Sequence, residues 1–219
     1  MKSCRVSRLT RLFGSGIVCV LLMLPAMAQE SSRLSGLELV QALRQGGYII
    51  LIRHPTTEHT QADTDPWHLD NIQAQRQLSD KGRGQSQSIG QALKALGLPV
   101  GHVVTSKFYR AIEAAKLAAF SDIQSSLDVS EGGLVVPPLE NQRRTEALRK
   151  LLATPPAAGT NTVIISHRPN IMDAAGKDFF DLAEGEASIF KPKAPEGFAL
   201  VARVKAEGWS EMAQQLAKP

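Results

Sequence analysis

Two kinds of segment alternate along the chain: short apolar runs and longer stretches with a helical repeat. The runs at 48–52 and 162–165 are apolar or β-branched at every position, which is typical of strands buried on both faces of a parallel sheet. Val103-Val104 is a shorter run of the same kind. Residues 198–204 alternate more and favour a later or edge strand.

The helical segments lie between these runs. Across 80–96 the apolar positions recur every three or four residues, so one helix face is apolar. Ser79 suits the start of this helix and Gly97 suits its end. Further helices are predicted over 111–119, where alanine dominates, and over 144–152. Strands alternating with helices predict an α/β protein with a mostly parallel sheet and helices on both faces.

Two long segments, 55–78 and 121–138, carry neither repeat and are predicted as loops. Loops of this length inside a compact domain are usually functional, so we expect the first to set substrate specificity. That loop also raises a metal-dependent hydrolase as an alternative. The residues that could bind a divalent metal are spaced irregularly, so they indicate a metal site only weakly. They are His59, Asp63, Asp65, His68 and Asp70.

Residues 1–28 are predicted to be an export signal. Four basic residues and no acid precede a short apolar run at 17–24, and Ala26-Met27-Ala28 matches a small-x-small cleavage site. Cleavage would place Gln29 at the N-terminus and leave no stable membrane anchor. We therefore expect a periplasmic protein with a single domain over 29–219.

Removal of that signal changes the interpretation of charge and cysteine content. It lowers Lys and Arg from 25 to 21, equal to the 21 Asp and Glu. The positive net charge therefore belongs to the signal, and no nucleic-acid partner is indicated.

Cys4 and Cys19 are also removed with the signal, so the mature chain has no disulfide, cysteine nucleophile or cysteine metal ligand. An apolar content of 43% excludes a disordered chain.

Cations and imidazoles follow three of the predicted strands. Arg53-His54 ends the first strand, Arg110 opens the alanine-rich helix after the second, and His167 follows the run at 162–165. Ligands of open parallel sheets bind at the carboxyl ends of the strands. These residues therefore predict an anion site.

Four segments also occur in a fixed order that resembles the histidine phosphatase superfamily, the phosphoglycerate-mutase-like fold. They are similar to that family's R-H-G-x-T, L-S-x-x-G-x-x-Q-A, S-x-x-x-R-A and [SG]-H motifs. In this chain they read Arg53-His54-Pro55-Thr56-Thr57, Leu78-Ser79-x-x-Gly82-Arg83-x-Gln85, Ser106-x-x-x-Arg110-Ala111 and Ser166-His167. Pro55 replaces the family's usual glycine. The late Gly185-Glu186-Ala187 resembles the small exported members, including relatives of lipopolysaccharide-core phosphatases.

The resemblance implies a single-domain, three-layer αβα sandwich and a phosphomonoesterase with no cofactor or metal. His54 would attack phosphorus and become a phosphohistidine, with its Nδ1–H donated to a backbone carbonyl. Arg53, Arg110 and His167 would hold the phosphate oxygens, His167 preferably as an imidazolium. Opposite protonation of the two histidines predicts a bell-shaped pH–rate profile.

The resemblance leaves the proton donor and the substrate open. Glu186 in the Gly-Glu-Ala segment is preferred as the donor, and Glu140 is retained as the alternative. The substrate would be a phosphorylated small molecule or a lipopolysaccharide-core sugar phosphate. A non-catalytic binder of phosphate ligands on the same fold is the competing class.

Overall fold

A computed structural model describes residues 33–132, 136–195 and 197–218 of the protein. The predicted export signal at 1–28 lies outside the described residues. Elements in the described part, in chain order, are α1 (Gly36–Gln45), β1 (Ile49–Arg53), α2 (Asp80–Ala95), β2 (Val100–Ser106), α3 (Tyr109–Leu117), β3 (Ile123–Ser126), α4 (Pro138–Ala153), β4 (Asn161–Ser166), α5 (Arg168–Ala175), β5 (Ala187–Lys193), β6 (Gly197–Val204) and α6 (Ala206–Leu216). None of the helices in these ranges has the length and apolar character needed to cross a membrane.

The six strands form one sheet in the order β3-β2-β4-β1-β5-β6. The strands β1 to β4 are mutually parallel, whereas β5 and β6 run antiparallel at one side. This confirms the predicted mostly parallel sheet and places 198–204 at the edge, as expected. Because β2, β4 and β1 are adjacent and parallel, the residues that follow them meet at one end of the sheet.

Each face of the sheet carries its own apolar core. The alternate side chains Ile50 and Ile52 of β1 pack with α1, α2, α3 and α6. Ile49 and Leu51 point the other way and pack with α4 and α5. Side chains along a strand alternate between faces, so a strand apolar at every position is buried on both sides. The predicted three-layer αβα arrangement is confirmed.

The start of α2 is fixed against the loop that follows β1. Ser79 caps the helix by accepting from the Gly82 backbone N–H at 3.1 Å, and its own N–H donates to the Thr56 carbonyl. A Cβ at Gly82 would lie 1.9 Å from the Thr56 carbonyl oxygen, so only glycine allows this approach. Gln85, one turn on, accepts from the Thr56 N–H and hydroxyl. The helix thereby anchors the backbone that carries His54.

Two predictions about the regular elements were wrong. The segment 121–138 is not all loop, because Ile123–Ser126 forms β3 beside β2. The helix expected over 144–152 begins six residues earlier, at Pro138, since proline suits a first helical turn. Strand β5 escaped prediction because charged and proline positions break its apolar pattern after Phe190.

Candidate active site

Three of the four predicted anion-binding residues lie at or directly after the ends of the adjacent strands β1 and β4. Arg53 is the last residue of β1, His54 follows it, and His167 lies between β4 and α5. Arg110 enters from the first turn of α3. The His54 and His167 rings lie 5.1 Å apart between centroids, and Arg110 Nη2 is 3.4 Å from His167 Nδ1. Residues more than a hundred positions apart in sequence therefore form one cluster.

This cluster is almost completely removed from solvent. His54 is 3% exposed, and His167 and Arg110 are 0% exposed. The Phe108 ring stands edge-on to His167 at 5.1 Å, and the Arg110 guanidinium lies 4.3 Å from its centroid. A cation that is dry and packed on an aromatic ring interacts strongly with an anion, because water does not screen it.

One ring nitrogen of His54 is held by the backbone. Its Nδ1 lies 2.9 Å from the Pro55 carbonyl oxygen. A carbonyl can only accept, so Nδ1 carries the proton and Nε2 keeps a free lone pair. The predicted backbone acceptor is thus present. It belongs to the proline that replaces the usual glycine.

A chain of hydroxyl groups sets the orientation of His167. The Ser130 hydroxyl donates to the Ser126 carbonyl at 2.7 Å, so it can only accept from Ser106. The Ser106 hydroxyl is therefore occupied as a donor, and it accepts from His167 Nε2–H at 2.7 Å. The other nitrogen, Nδ1, is left facing Arg110 and Glu131.

Both histidines are neutral in the unliganded protein at neutral pH. Burial, followed by His167 and Arg110, lowers the pKa of His54 well below 6.5. Burial, followed by the charges of Arg110, Arg76 and Arg53, likewise lowers the pKa of His167 well below 6.5. The imidazolium form expected for His167 concerns the phosphate-bound protein and stays a prediction.

Two carboxylates hold the Arg110 guanidinium. Asp63, from the loop after β1, accepts from Nη1 at 3.0 and 3.2 Å, and Glu131 accepts from Nη2. Asp63 also accepts from the Arg76 backbone N–H at 3.0 Å, which fixes the loop. Two carboxylates therefore share the single guanidinium of Arg110 and would compete with an anion that binds there.

Arg53 is positioned from the segment before β5. Its Nη1 donates to the Leu182 carbonyl at 2.6 Å, and its Nη2 lies 3.5 Å from Glu184. The buried Nε atoms of Arg53 and Arg110 have no hydrogen-bond acceptor among the described residues. Two unsatisfied guanidinium donors in one buried cluster are suited to an oxyanion, since each costs free energy when left unpaired.

The sequence was compared with protein families and curated proteins. A sequence model of the histidine phosphatase superfamily (branch 1) matches residues 49–131, which include Arg53, His54 and Arg110. No curated protein matches the sequence. The match ends before His167, which the structure brings into the cluster.

Solved structures extend the likeness to most of the described chain. The protein histidine phosphatase SixA, complexed with tungstate, is similar with a TM-score of 0.54 at 14% identity, covering 73% of this chain and 97% of that one. The protein has the histidine phosphatase fold. The open reading frame Rv3214 from Mycobacterium tuberculosis gives a TM-score of 0.52 at 15% identity, covering 70% and 95%.

A third structure, of a proposed alpha-ribazole-5'-P phosphatase from Escherichia coli K-12, gives a TM-score of 0.50 at 16% identity. It covers 71% of this chain and 94% of that one. The superfamily match and these neighbours together support phosphatase activity in general terms.

The two glutamates predicted as proton donors lie in other ion pairs. Glu140 is in the first turn of α4, where it accepts from Arg143 and Arg144 at 2.8 Å each, and they lower its pKa to about 2. Glu186 accepts from Arg203 at 2.7 Å and from the Ala183 N–H at 2.9 Å. In the described structure, neither carboxylate contacts His54, His167 or Arg110.

Sequence reasoning missed the acids that do lie beside this cluster of histidines and arginines. Glu131 contacts both Arg110 and His167, and Glu184 accepts from the Thr57 hydroxyl and lies beside Arg53. Glu131 stands in a Ser- and Gly-rich stretch with no periodic pattern. It lies 21 residues after Arg110 in sequence. That spacing indicates a contact with Arg110 only when the intervening strand β3 is known, because β3 returns the chain to the same end of the sheet.

Two acidic side chains of the loop after β1 bind donor groups of the protein and do not cluster with each other. Asp63 binds Arg110, and Asp65 accepts from His68 and Asn71. No group of three potential metal ligands is found among 33–132, 136–195 and 197–218.

We expect the buried histidines to weaken the fold at acidic pH. Their folded pKa values lie below 6.5, so the unfolded chain binds more protons there and the free energy of unfolding falls as pH drops. The slope reaches about 1.4 kcal/mol per pH unit for each histidine below about pH 6.5. Urea unfolding between about pH 7 and pH 5 measures it.

The substitution His167→Gln should flatten this pH dependence, and His68→Gln should not. His68 is a suitable control because its side chain is 76% exposed. An unchanged slope in the His167 variant would show that this ring does not titrate differently on folding.

Proposed function

We propose that the protein is an exported phosphomonoesterase that works through a phosphohistidine at His54. The observation that carries the proposal is the position of His54. Its Nδ1 is bound to the Pro55 carbonyl, and its ring lies beside His167 and the Arg110 that contacts it. A neutral imidazole with a free Nε2 is a nucleophile, and the arginines place positive charge where phosphoryl transfer spreads negative charge.

In the first step His54 Nε2 attacks phosphorus in line with the leaving oxygen. The N–P bond forms as the P–O ester bond breaks, and the bonding electrons leave with the alcohol oxygen. Arg53 and Arg110 hold the non-bridging oxygens, and His167, which becomes protonated at Nδ1 as the anion binds, donates a hydrogen bond to another of them. An anion at this position offsets the arginine charges that lower the pKa of His167.

The leaving oxygen must receive a proton, and we assign that transfer to Glu131, whose carboxylate takes up this proton from solvent when the phosphate dianion binds beside it. It is the carboxyl group that contacts both Arg110 and His167. In the second step its carboxylate takes a proton from water, water oxygen bonds to phosphorus and the N–P bond breaks. The products are the alcohol, inorganic phosphate and the original imidazole.

A leaving-group series tests this assignment. The substitution Glu131→Gln should lower kcat for ethyl phosphate by about 10²–10³-fold, because an alkoxide leaves poorly without a proton. It should lower kcat for p-nitrophenyl phosphate by less than about tenfold, because that leaving group is stable as an anion. Steady-state kinetics with both esters measures the difference.

The variants Glu140→Gln and Glu186→Gln are the competing arms of that experiment. A loss that depends on the leaving group in either variant would move the proton donor to that residue. Glu146→Gln, on the exposed face of α4, is the matched control for loss of a surface carboxylate. Equal losses for both esters in Glu131→Gln would contradict the assignment.

The proposed substrate is a small phosphorylated molecule, and a lipopolysaccharide-core sugar phosphate remains one candidate. Export is supported by the basic, apolar and small-x-small pattern of residues 1–28. Terminal sequencing of the protein from a periplasmic fraction checks it, with Gln29 as the expected first residue.

A further inference from the structure

A cavity of about 310 Å³ adjoins the cluster of His54, His167 and Arg110. It shares three residues with the surroundings of that cluster: Asp63 and Glu131, which bind Arg110, and Phe108, which packs on His167. The other residues lining it are mostly apolar, namely Pro66, Trp67, Leu69, Leu127, Gly132, Val136 and Arg144. A phosphate bound at Arg110 would therefore present its ester group to an apolar wall.

The polar side chains of this cavity are already bound to other parts of the protein. Asp63 and Glu131 accept from Arg110. Arg144 donates to the Glu140 carboxylate at 2.8 Å and to the Ser130 and Glu131 carbonyls at 3.2 Å each. A sugar in this space would lose hydrogen bonds to water and find few replacements, which costs free energy.

The apolar wall is partly open to water in the free protein. Trp67 is 66% exposed and Leu127 is 37% exposed. They come from segments that are distant in sequence and meet at this cavity. Covering such surfaces with an apolar ligand is favourable in proportion to the area removed from water. The volume corresponds to about ten water molecules at about 30 Å³ each, enough for a short alkyl chain or a phenyl ring.

From these observations we infer that the substrate is a phosphate monoester of an apolar alcohol or phenol, whose alkyl or aryl group fills this cavity. The inference rests on the proposed phosphatase function of the same site. The inference specifies the chemical class of the leaving group. The arginines and histidines of the site contact the phosphate and therefore do not select between leaving groups.

Straight-chain alkyl phosphates from ethyl to octyl test the inference, at concentrations below micelle formation. Their alcohols have closely similar acidity, so the chemical step is constant and only apolar contact changes. We expect kcat/KM to rise about threefold for each methylene up to hexyl, since full burial of one methylene corresponds to about fourfold. Hexyl phosphate should then exceed ethyl phosphate by nearly a hundredfold.

The wall residues should control this dependence on chain length. Trp67→Ala and Leu127→Ala should each reduce the hexyl-to-ethyl ratio of kcat/KM by about five- to tenfold. Leu139→Ala removes a side chain that is 81% exposed and does not line the cavity, so it should keep the wild-type ratio. Trp67 is exposed enough that its loss should not affect folding.

Two outcomes would overturn the inference, and they differ in what else they overturn. A flat alkyl series, or faster hydrolysis of mannose 6-phosphate than of butyl phosphate, would reject the apolar leaving group. If p-nitrophenyl phosphate were still hydrolysed, the phosphatase function would stand. Absence of turnover with every ester would overturn the proposed function together with the inference.

Discussion

The substitution His54→Ala should lower kcat by at least about 10⁴-fold, the largest effect of any single change considered, because it removes the proposed attacking nitrogen. Rapid mixing of the wild type with ³²P-labelled ester, followed by an alkaline quench, should trap label on the protein. The N–P bond of a phosphohistidine is hydrolysed in acid, so acid treatment should remove that label. The alanine variant should carry none.

His68→Ala is the matched control, because this ring is largely exposed and pairs with Asp65 of the loop. It should turn over at the wild-type rate. A wild-type protein that binds inorganic phosphate but hydrolyses no ester would instead support the non-catalytic binder. Residual activity above about 1% in His54→Ala would place the nucleophile elsewhere.

Loss of Arg110 should damage both activity and stability. In Arg110→Ala the phosphate loses a dry cation, which should lower kcat/KM by about 10³-fold. Asp63 and Glu131, whose side chains are 21% and 19% exposed, both lose the guanidinium that they share. Removing one side of a buried pair costs about 3–5 kcal/mol, and the partial exposure reduces our expectation to about 2–4 kcal/mol. Urea unfolding and steady-state kinetics measure the two losses.

Arg143→Ala provides the contrast. Arg143 also pairs with two acids, Glu140 and Asp128, but its side chain is 49% exposed. Its removal should cost less than about 1 kcal/mol and leave turnover unchanged. Arg110→Lys should recover only part of the activity, because an ammonium cannot bind two oxygens in one plane. Equal stability losses at the two positions would contradict the assigned difference in burial.

Much of the site could be predicted because its position follows from the sheet. The runs at 48–52 and 162–165 could only be strands covered on both faces, and parallel strands end on one edge. Arg53, His54 and His167 follow those runs directly. Their proximity therefore needed no knowledge of the loops, and the structure confirms it.

The acids could not be placed in the same way. Glu140 lies three and four residues before Arg143 and Arg144 in one helix, so its carboxylate pairs along its own helix. Glu186 precedes β5 and pairs with Arg203, which stands opposite Ser188 on the neighbouring antiparallel strand. Their roles as donors stay predictions. The position of Glu131 depends on the path of a loop, which no local sequence pattern predicts.

The contact between Asp63 and Arg110 has a consequence for the end of each catalytic cycle. Asp63 belongs to the same chain and lies nine residues after His54, so it competes with any free oxyanion for the Arg110 guanidinium at a high effective concentration. Inorganic phosphate, once formed, competes with the Asp63 carboxylate for binding to Arg110. Product inhibition should therefore be weaker than the number of arginines in the site suggests.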